Sequence, residues 1–122
     1  MTKTPKLTKT RLRKGLGLSV KNLSLFDAAL THPSFRNENQ FAEKLADFDR
    51  LEFLGDSILN EVICQRLYAG FPQADEGMLS KLRSTLVSQR VLGRIAAKLR
   101  LHTFMRFGKS LRQAMKTPYK HK

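Results

Sequence analysis

The chain has no tryptophan, one cysteine, and no acidic residue outside positions 27–76. Aromatic packing is therefore left almost entirely to its eight phenylalanines. A lone cysteine, Cys64, rules out an intrachain disulfide and a Cys-based zinc site; set in an apolar helical stretch, it is expected to be a core thiol. No apolar run approaches the ~20 residues needed to cross a bilayer. No apolar segment follows the basic N-terminus as a secretory signal requires, so a cytoplasmic protein without a membrane partner is expected. Strand-like alternation of useful length is missing, as is any internal repeat, and the expected class is all-α. What remains is a 122-residue chain with 41% apolar residues. That is enough for the core of one domain, small enough that oligomerisation would help it.

Charge is unevenly placed. All ten acids lie between Asp27 and Glu76, where they face four Lys/Arg, a local charge of −6. The first 26 residues carry seven Lys/Arg, and Gly77–Lys122 carries twelve, neither with any acid. Two basic arms thus flank an acidic centre. Basic surface of this kind suits a polyphosphate partner, because each neutralised phosphate releases condensed counterions; a solvated basic surface is the plainer alternative.

Residues 1–14 lack a sustained apolar period and read as a basic flexible arm, ended by Gly15 and Gly17. Ser24 can cap a short helix carrying Leu25, Phe26, Ala29 and Leu30, which Pro33 ends. Ser34–Gln40 is polar and loop-like. The longest helical signal runs from about Ala46 to Ala69, with Leu51, Leu54, Ile58 and Val62 on one face and Gly70 and Pro72 as its stop. A helix over about Glu76–Val87 follows, with Leu79, Leu82 and Leu86 on one face. Ser88 then caps another through Leu92, Ile95, Ala96 and Leu99. Phe104 and Phe107 can still pack, while residues 111–122 read as a basic tail.

On the long helix Asp49, Glu52 and Asp56 stand at i, i+3 and i+7, within roughly 60° of one another. An acidic stripe inside an apolar helix is costly unless something positive meets it. Mg²⁺ takes carboxylate oxygens while keeping several waters, and an ion held there could activate water against a phosphodiester. The plainer reading is an exposed acidic stripe beside Arg50 and Arg66. Gly55 costs the helix about 1 kcal/mol relative to alanine, which suggests close approach of a backbone or ligand, or simple helix crowding.

The run Asp49-Arg50-Leu51-Glu52-Phe53-Leu54-Gly55-Asp56-Ser57 resembles the signature helix of the ribonuclease III family. Ala29–Phe35 is similar to the family's segment upstream of it. Phe71-Pro72 with Asp75-Glu76-Gly77, then Leu79-Ser80 with Leu82-Arg83 and Leu86-Val87-Ser88, and finally Phe107-Gly108-Lys109 resemble segments that follow it. The resemblance covers roughly residues 16–110, so residues 15–110 are taken as a partial ribonuclease III-type catalytic domain.

The resemblance implies an all-α, dimeric endonuclease that cuts double-stranded RNA with Mg²⁺ or Mn²⁺, as in the processing of RNA precursors. By match, Glu52 and Asp56 are its catalytic metal ligands and Asp49 and Glu76 its supporting acids, Asp49 standing where the family usually has Glu. His32 matches a motif histidine and is expected to cap a helix end. Ser57, with no histidine beside it, is expected to pack rather than to act as a nucleophile. There are two departures. The family's later acidic helix has no counterpart in Lys109–Lys122, and no double-stranded RNA-binding domain is expected within the 122 residues. Three readings result: an endoribonuclease impaired in this chain, a non-catalytic RNA-binding relative, or the product of a disrupted gene.

Overall fold

The computed structural model describes residues 6–39 and 48–116. Among these are seven α-helices and no strand: α1 (Lys9–Leu16), α2 (Leu23–Ala29), α3 (Pro33–Glu38), α4 (Phe48–Gly70), α5 (Glu76–Leu86), α6 (Gln89–Lys98) and α7 (Lys109–Lys116). A single 3-10 turn, Leu101–Thr103, follows α6. None of these helices is long and apolar enough to cross a membrane. The described residues form two compact units, one reaching Asp49 and resuming at Leu101, the other Arg50–Arg100.

In the first unit α1 corrects the flexible-arm reading from Lys9 onward. The helix starts where the Thr8 side chain accepts from the Arg11 N–H, 3.1 Å away. It ends where Gly17 turns left-handed at φ 68° and its N–H returns to the Arg13 carbonyl. Leu7, just outside the cap, and Leu12, one turn in, enter the same core cluster with Val20 and Phe104, a hydrophobic staple. Leu16, Leu23, Phe26 and Leu30 pack against that cluster. Gly15 makes room there for the Phe104 ring, which a Cβ would overlap.

The start of α2 also shifts. Asn22, not Ser24, is its cap, and Asn22 Oδ1 accepts from the Ser24 N–H. Pro33 opens α3 rather than merely ending what precedes it, so Pro33–Glu38 is helix where a loop was expected. Proline suits the first helical turn, where its missing N–H leaves no bond unmade. Gln40 lies outside the described residues, as do Ala46, Asp47 and 117–122.

The later chain closes back on α2 and α3 through Arg106. Its N–H donates to the Leu30 carbonyl, and its own carbonyl accepts from the His32 N–H. Its guanidinium donates to Asp27 Oδ2 at 2.6 Å and to Thr31 Oγ1 at 3.2 Å, and lies over the Phe35 ring. Thr31 is fully buried and donates its hydroxyl to the Asp27 carbonyl, so no buried polar atom of this cluster is left unmet. Lys109–Lys116, whose later residues read as basic tail in the sequence, forms α7. Glu38 caps it, accepting from the Lys109 N–H at 2.6 Å and the Ser110 N–H at 3.3 Å.

In the second unit α5 begins at the Asp75 cap and α6 at the Ser88 cap, close to the sequence reading. Leu67 is buried, but much of the apolar surface of α4 is not: Leu54, Ile58 and Val62 are 55, 51 and 50% exposed. Cys64 is exposed too, which corrects the core-thiol expectation. Its sulfur accepts a long contact from Arg83 at 3.9 Å.

Candidate functional site

Helix α4 runs unbroken from Phe48 to Gly70, so the spacing of its acids becomes a real geometry. Glu52 and Asp56 are one turn apart, separated by a rise of ~6 Å and a rotation of ~40°. Both are exposed. Among the described residues no hydrogen bond or ion pair engages either carboxylate; only the Asp56 backbone carbonyl is used, accepting from Asn60 Nδ2 at 2.9 Å. Phe53, 79% exposed, lies on the helix about 60° round from Asp56. Gly55 faces open space, since a Cβ there would meet nothing within 4 Å. Helix crowding within the described chain therefore does not account for it.

The other two expected acids stand elsewhere. Asp49 is exposed on the first turn of α4 and falls in the first compact unit. Glu76 opens α5 and accepts from the Ser80 hydroxyl at 2.8 Å. It lines a surface groove of about 430 Å³ with Cys64, Gln65, Tyr68 and Arg83. Cys64 is eight residues past Asp56 on α4, a rise of ~12 Å. Glu76 thus sits beside the C-terminal half of α4, not beside Glu52 and Asp56. Among the described residues no three His, Cys, Asp or Glu side chains come together as a metal group.

Two free carboxylates do fit one class of ion. Mg²⁺ is commonly held by one or two protein carboxylates, its remaining positions being filled by water and substrate phosphate. A closed all-protein cage, of the kind Ca²⁺ or structural Zn²⁺ takes, does not fit. His32 plays a different part. Its Nδ1 accepts from the Ser34 N–H at 3.1 Å and caps α3, with its ring between those of Phe48 and Phe107. Ser34 Oγ, 2.8 Å from Nδ1, accepts from the Gly108 N–H. The motif histidine is thus a structural hub. The sequence had no signal for Glu38 or Arg106 as partners in this region, because their contacts span more than 70 positions.

Comparison with known proteins shows the family. The Ribonuclease-III-like family matches residues 22–120. Ribonuclease 3 of Leptospira interrogans is 38% identical over 105 residues, covering 86% of this chain and 42% of that protein. Ribonuclease 3 of Glaesserella parasuis is 43% identical over 98 residues, covering 80% and 40%. Ribonuclease 3 of Acinetobacter baylyi is 42% identical over 96 residues, covering 79% and 39%. The chain spans about two fifths of the length of these relatives.

Proposed function

The chain belongs to the ribonuclease III family, and from that premise we propose that it serves metal-dependent endonucleolytic cleavage of double-stranded RNA, as in the processing of RNA precursors. The observation that carries this reading is the pair Glu52 and Asp56, exposed and unpartnered one turn apart within the apolar positions of the signature run. Solvent-facing acids usually cost little, but two that interrupt the signature run and form no ion pair among the described residues leave negative charge for a ligand to meet.

Glu52 and Asp56 would hold Mg²⁺ or Mn²⁺. The chemistry such an ion supplies when bound is stabilisation of the charge that develops as a phosphodiester is displaced by water. The chain's own contribution is placement. The rigid α4 backbone fixes the separation of the two carboxylates, and an error of about 1 Å in such a placement can cost on the order of a hundredfold in rate. Asp49 and Glu76 are proposed as supporting acids that act once further carboxylates and RNA complete the site. A homodimer is part of the reading, supported by the half-exposed stripe of Leu54, Ile58 and Val62 and the open surface at Gly55. So is a cytoplasmic location.

One observation favours a second reading. Residues 77–122 carry no acid. A non-catalytic RNA-binding relative would need none.

The test is metal binding followed by cleavage. Mn²⁺ titrated into the protein should broaden the NMR signals of Glu52 and Asp56 before those of other acids. Cleavage of duplex RNA should require Mg²⁺ in a chain supplemented with an acidic helix from a relative. Broadening spread evenly over all acids, or cleavage that survives chelation, would overturn the reading.

A further inference from the structure

Helix α6 carries Arg90, Arg94 and Lys98 at four-residue steps, and all three are exposed. Each step rises ~6 Å and turns ~40°, so the three cations form a gently winding line about 12 Å long. Like charges one turn apart repel and weaken a helix. Nothing negative relieves them here. The helix contains no acid, the sequence has none after Glu76, and among the described residues no ion pair or hydrogen bond engages any of the three side chains.

A second feature adjoins the line. Gly93 and Ala97 flank it on one side, and both are exposed. Glycine inside a helix is unfavourable, yet a Cβ at Gly93 would meet nothing within 4 Å. No neighbour within the described chain requires that missing side chain. Val91, half-buried, and Ile95, 47% exposed, flank the line on its other side, and Leu92 and Ala96 are half-buried on the far side of the helix. The exposed face is therefore a row of cations with a low shelf on one side and Ile95 on the other.

We propose that this face of α6 docks the phosphate backbone of duplex RNA, with Arg90, Arg94 and Lys98 each neutralising a phosphate. The proposal rests on the duplex-RNA reading above and adds the residues that carry the binding. Guanidinium groups pair two N–H donors with phosphate oxygens, and double-stranded RNA is recognised chiefly through its backbone and shape. The shelf at Gly93 and Ala97 lets a sugar-phosphate strand come close to the helix. A lipid surface is a poorer match, because an interfacial helix needs a broad apolar contact side, and Ile95 is the one large apolar side chain of α6 that stands exposed beside the cations.

The experiment measures duplex-RNA binding by fluorescence anisotropy over a range of salt concentrations, in EDTA so that metal chemistry plays no part. The variant R90Q/R94Q/K98Q keeps good helix formers at exposed positions, and circular dichroism checks its helicity. A control, K6Q/K9Q/K14Q, removes the same charge from another part of the chain. The α6 variant should bind more weakly and show a log K against log salt slope shallower by about 2.7, at ~0.9 per phosphate on a B-form scale. The control should change the slope by less. Equal losses in the two variants would reduce the effect to net charge and overturn the proposal. An unchanged slope in the α6 variant would overturn it while leaving the duplex-RNA reading standing. Loss of binding to phosphatidylserine vesicles by the α6 variant, with RNA binding retained, would reassign the face to a lipid. Absence of RNA binding by the parent chain would sink both this proposal and the function it rests on.

Discussion

Replacing Gly15 with alanine sets two effects of known sign against each other. Alanine favours a helix interior by about 1 kcal/mol over glycine, so an unconstrained Gly15→Ala would stabilise α1. The new methyl, however, would overlap the Phe104 ring. That ring is buried in the core cluster with Leu7, Leu12 and Val20, with the Arg11 guanidinium 5.0 Å from its centroid, and a cavity of about 490 Å³ adjoins it. Overpacking of this kind typically costs about 1–3 kcal/mol. The expected net result is destabilisation by roughly 0–2 kcal/mol, and its origin can be tested separately from its size. In a Phe104→Leu background the overlap is relieved, so Gly15→Ala should then stabilise. A double-mutant cycle by urea denaturation should give a coupling of about 1–3 kcal/mol between the two positions. A Gly15→Ala protein more stable than its parent by the full propensity gain, with zero coupling to Phe104, would refute the packing argument.

Three other sites and the assembly yield expected outcomes. Arg106→Gln removes the charged bonds to Asp27 and Thr31 and the stacking on Phe35; both ionic partners are about a third exposed, so the loss by thermal or urea unfolding should be about 1–2 kcal/mol. Glu38 is held below its ordinary value of 4.5, first of all by the Lys109 N–H that it accepts. Its cap on α7 is therefore fully present above pH 4.5 and fades as pH falls through the lowered value; amide exchange in Lys109–Lys116 should speed up in that range, and Glu38→Gln should abolish the pH dependence. The 122-residue polypeptide by itself should cut duplex RNA far more slowly than a full-length relative. An added acidic helix should restore cleavage and Asp56→Asn should remove it again; robust Mg²⁺-dependent cutting by the unsupplemented chain, lost on Glu52→Gln, would show that two carboxylates suffice. Sedimentation at tens of micromolar should show self-association that Leu54→Ser with Ile58→Ser weakens, and a strictly monomeric mass for the parent would contradict the homodimer.

How legible the fold was depended on whether local signals matched the period of the element. The steps of Leu51, Leu54, Ile58 and Val62, and the caps at Asp75 and Ser88, are local, and α4, α5 and α6 lie close to where those signals put them. The α1 helix was hidden because its segment KTRLRKGL holds only two leucines, Leu12 and Leu16, amid basic residues. Its stability comes from a core built partly by Val20 and Phe104, which a local window does not see. Helices α3 and α7 are short, and their ends are tied to each other through Glu38, Ser34 and Gly108 across more than 70 positions. Cys64 was misread because an apolar period says which face is apolar, not whether anything covers it. The candidate site was the reverse case. Glu52 and Asp56 sit on one helix, so their relation was readable from spacing. That Glu76 lies beside Cys64 and Tyr68 depends on how α5 packs on α4, and only the structure gives that.

The exposed stripe on α4 also limits what it can do alone. Full burial of a Leu, Ile or Val side chain is worth about 1.5–3 kcal/mol relative to exposure. Leu54, Ile58 and Val62 are already about half covered, so burying the rest would gain roughly 1 kcal/mol each. About 3 kcal/mol per subunit, or ~6 for a symmetric pair, must offset an association cost of at least ~4 kcal/mol. A micromolar dimer requires a net of about 8 kcal/mol. The stripe therefore cannot account for a micromolar dimer without further contacts. Met78, Ile95 and Leu99 in the same compact unit are 55, 47 and 47% exposed, and Tyr68 and Phe71 are 78 and 50% exposed. A stable dimer must recruit such residues as well, which makes its affinity sensitive to substitutions well away from α4's signature run.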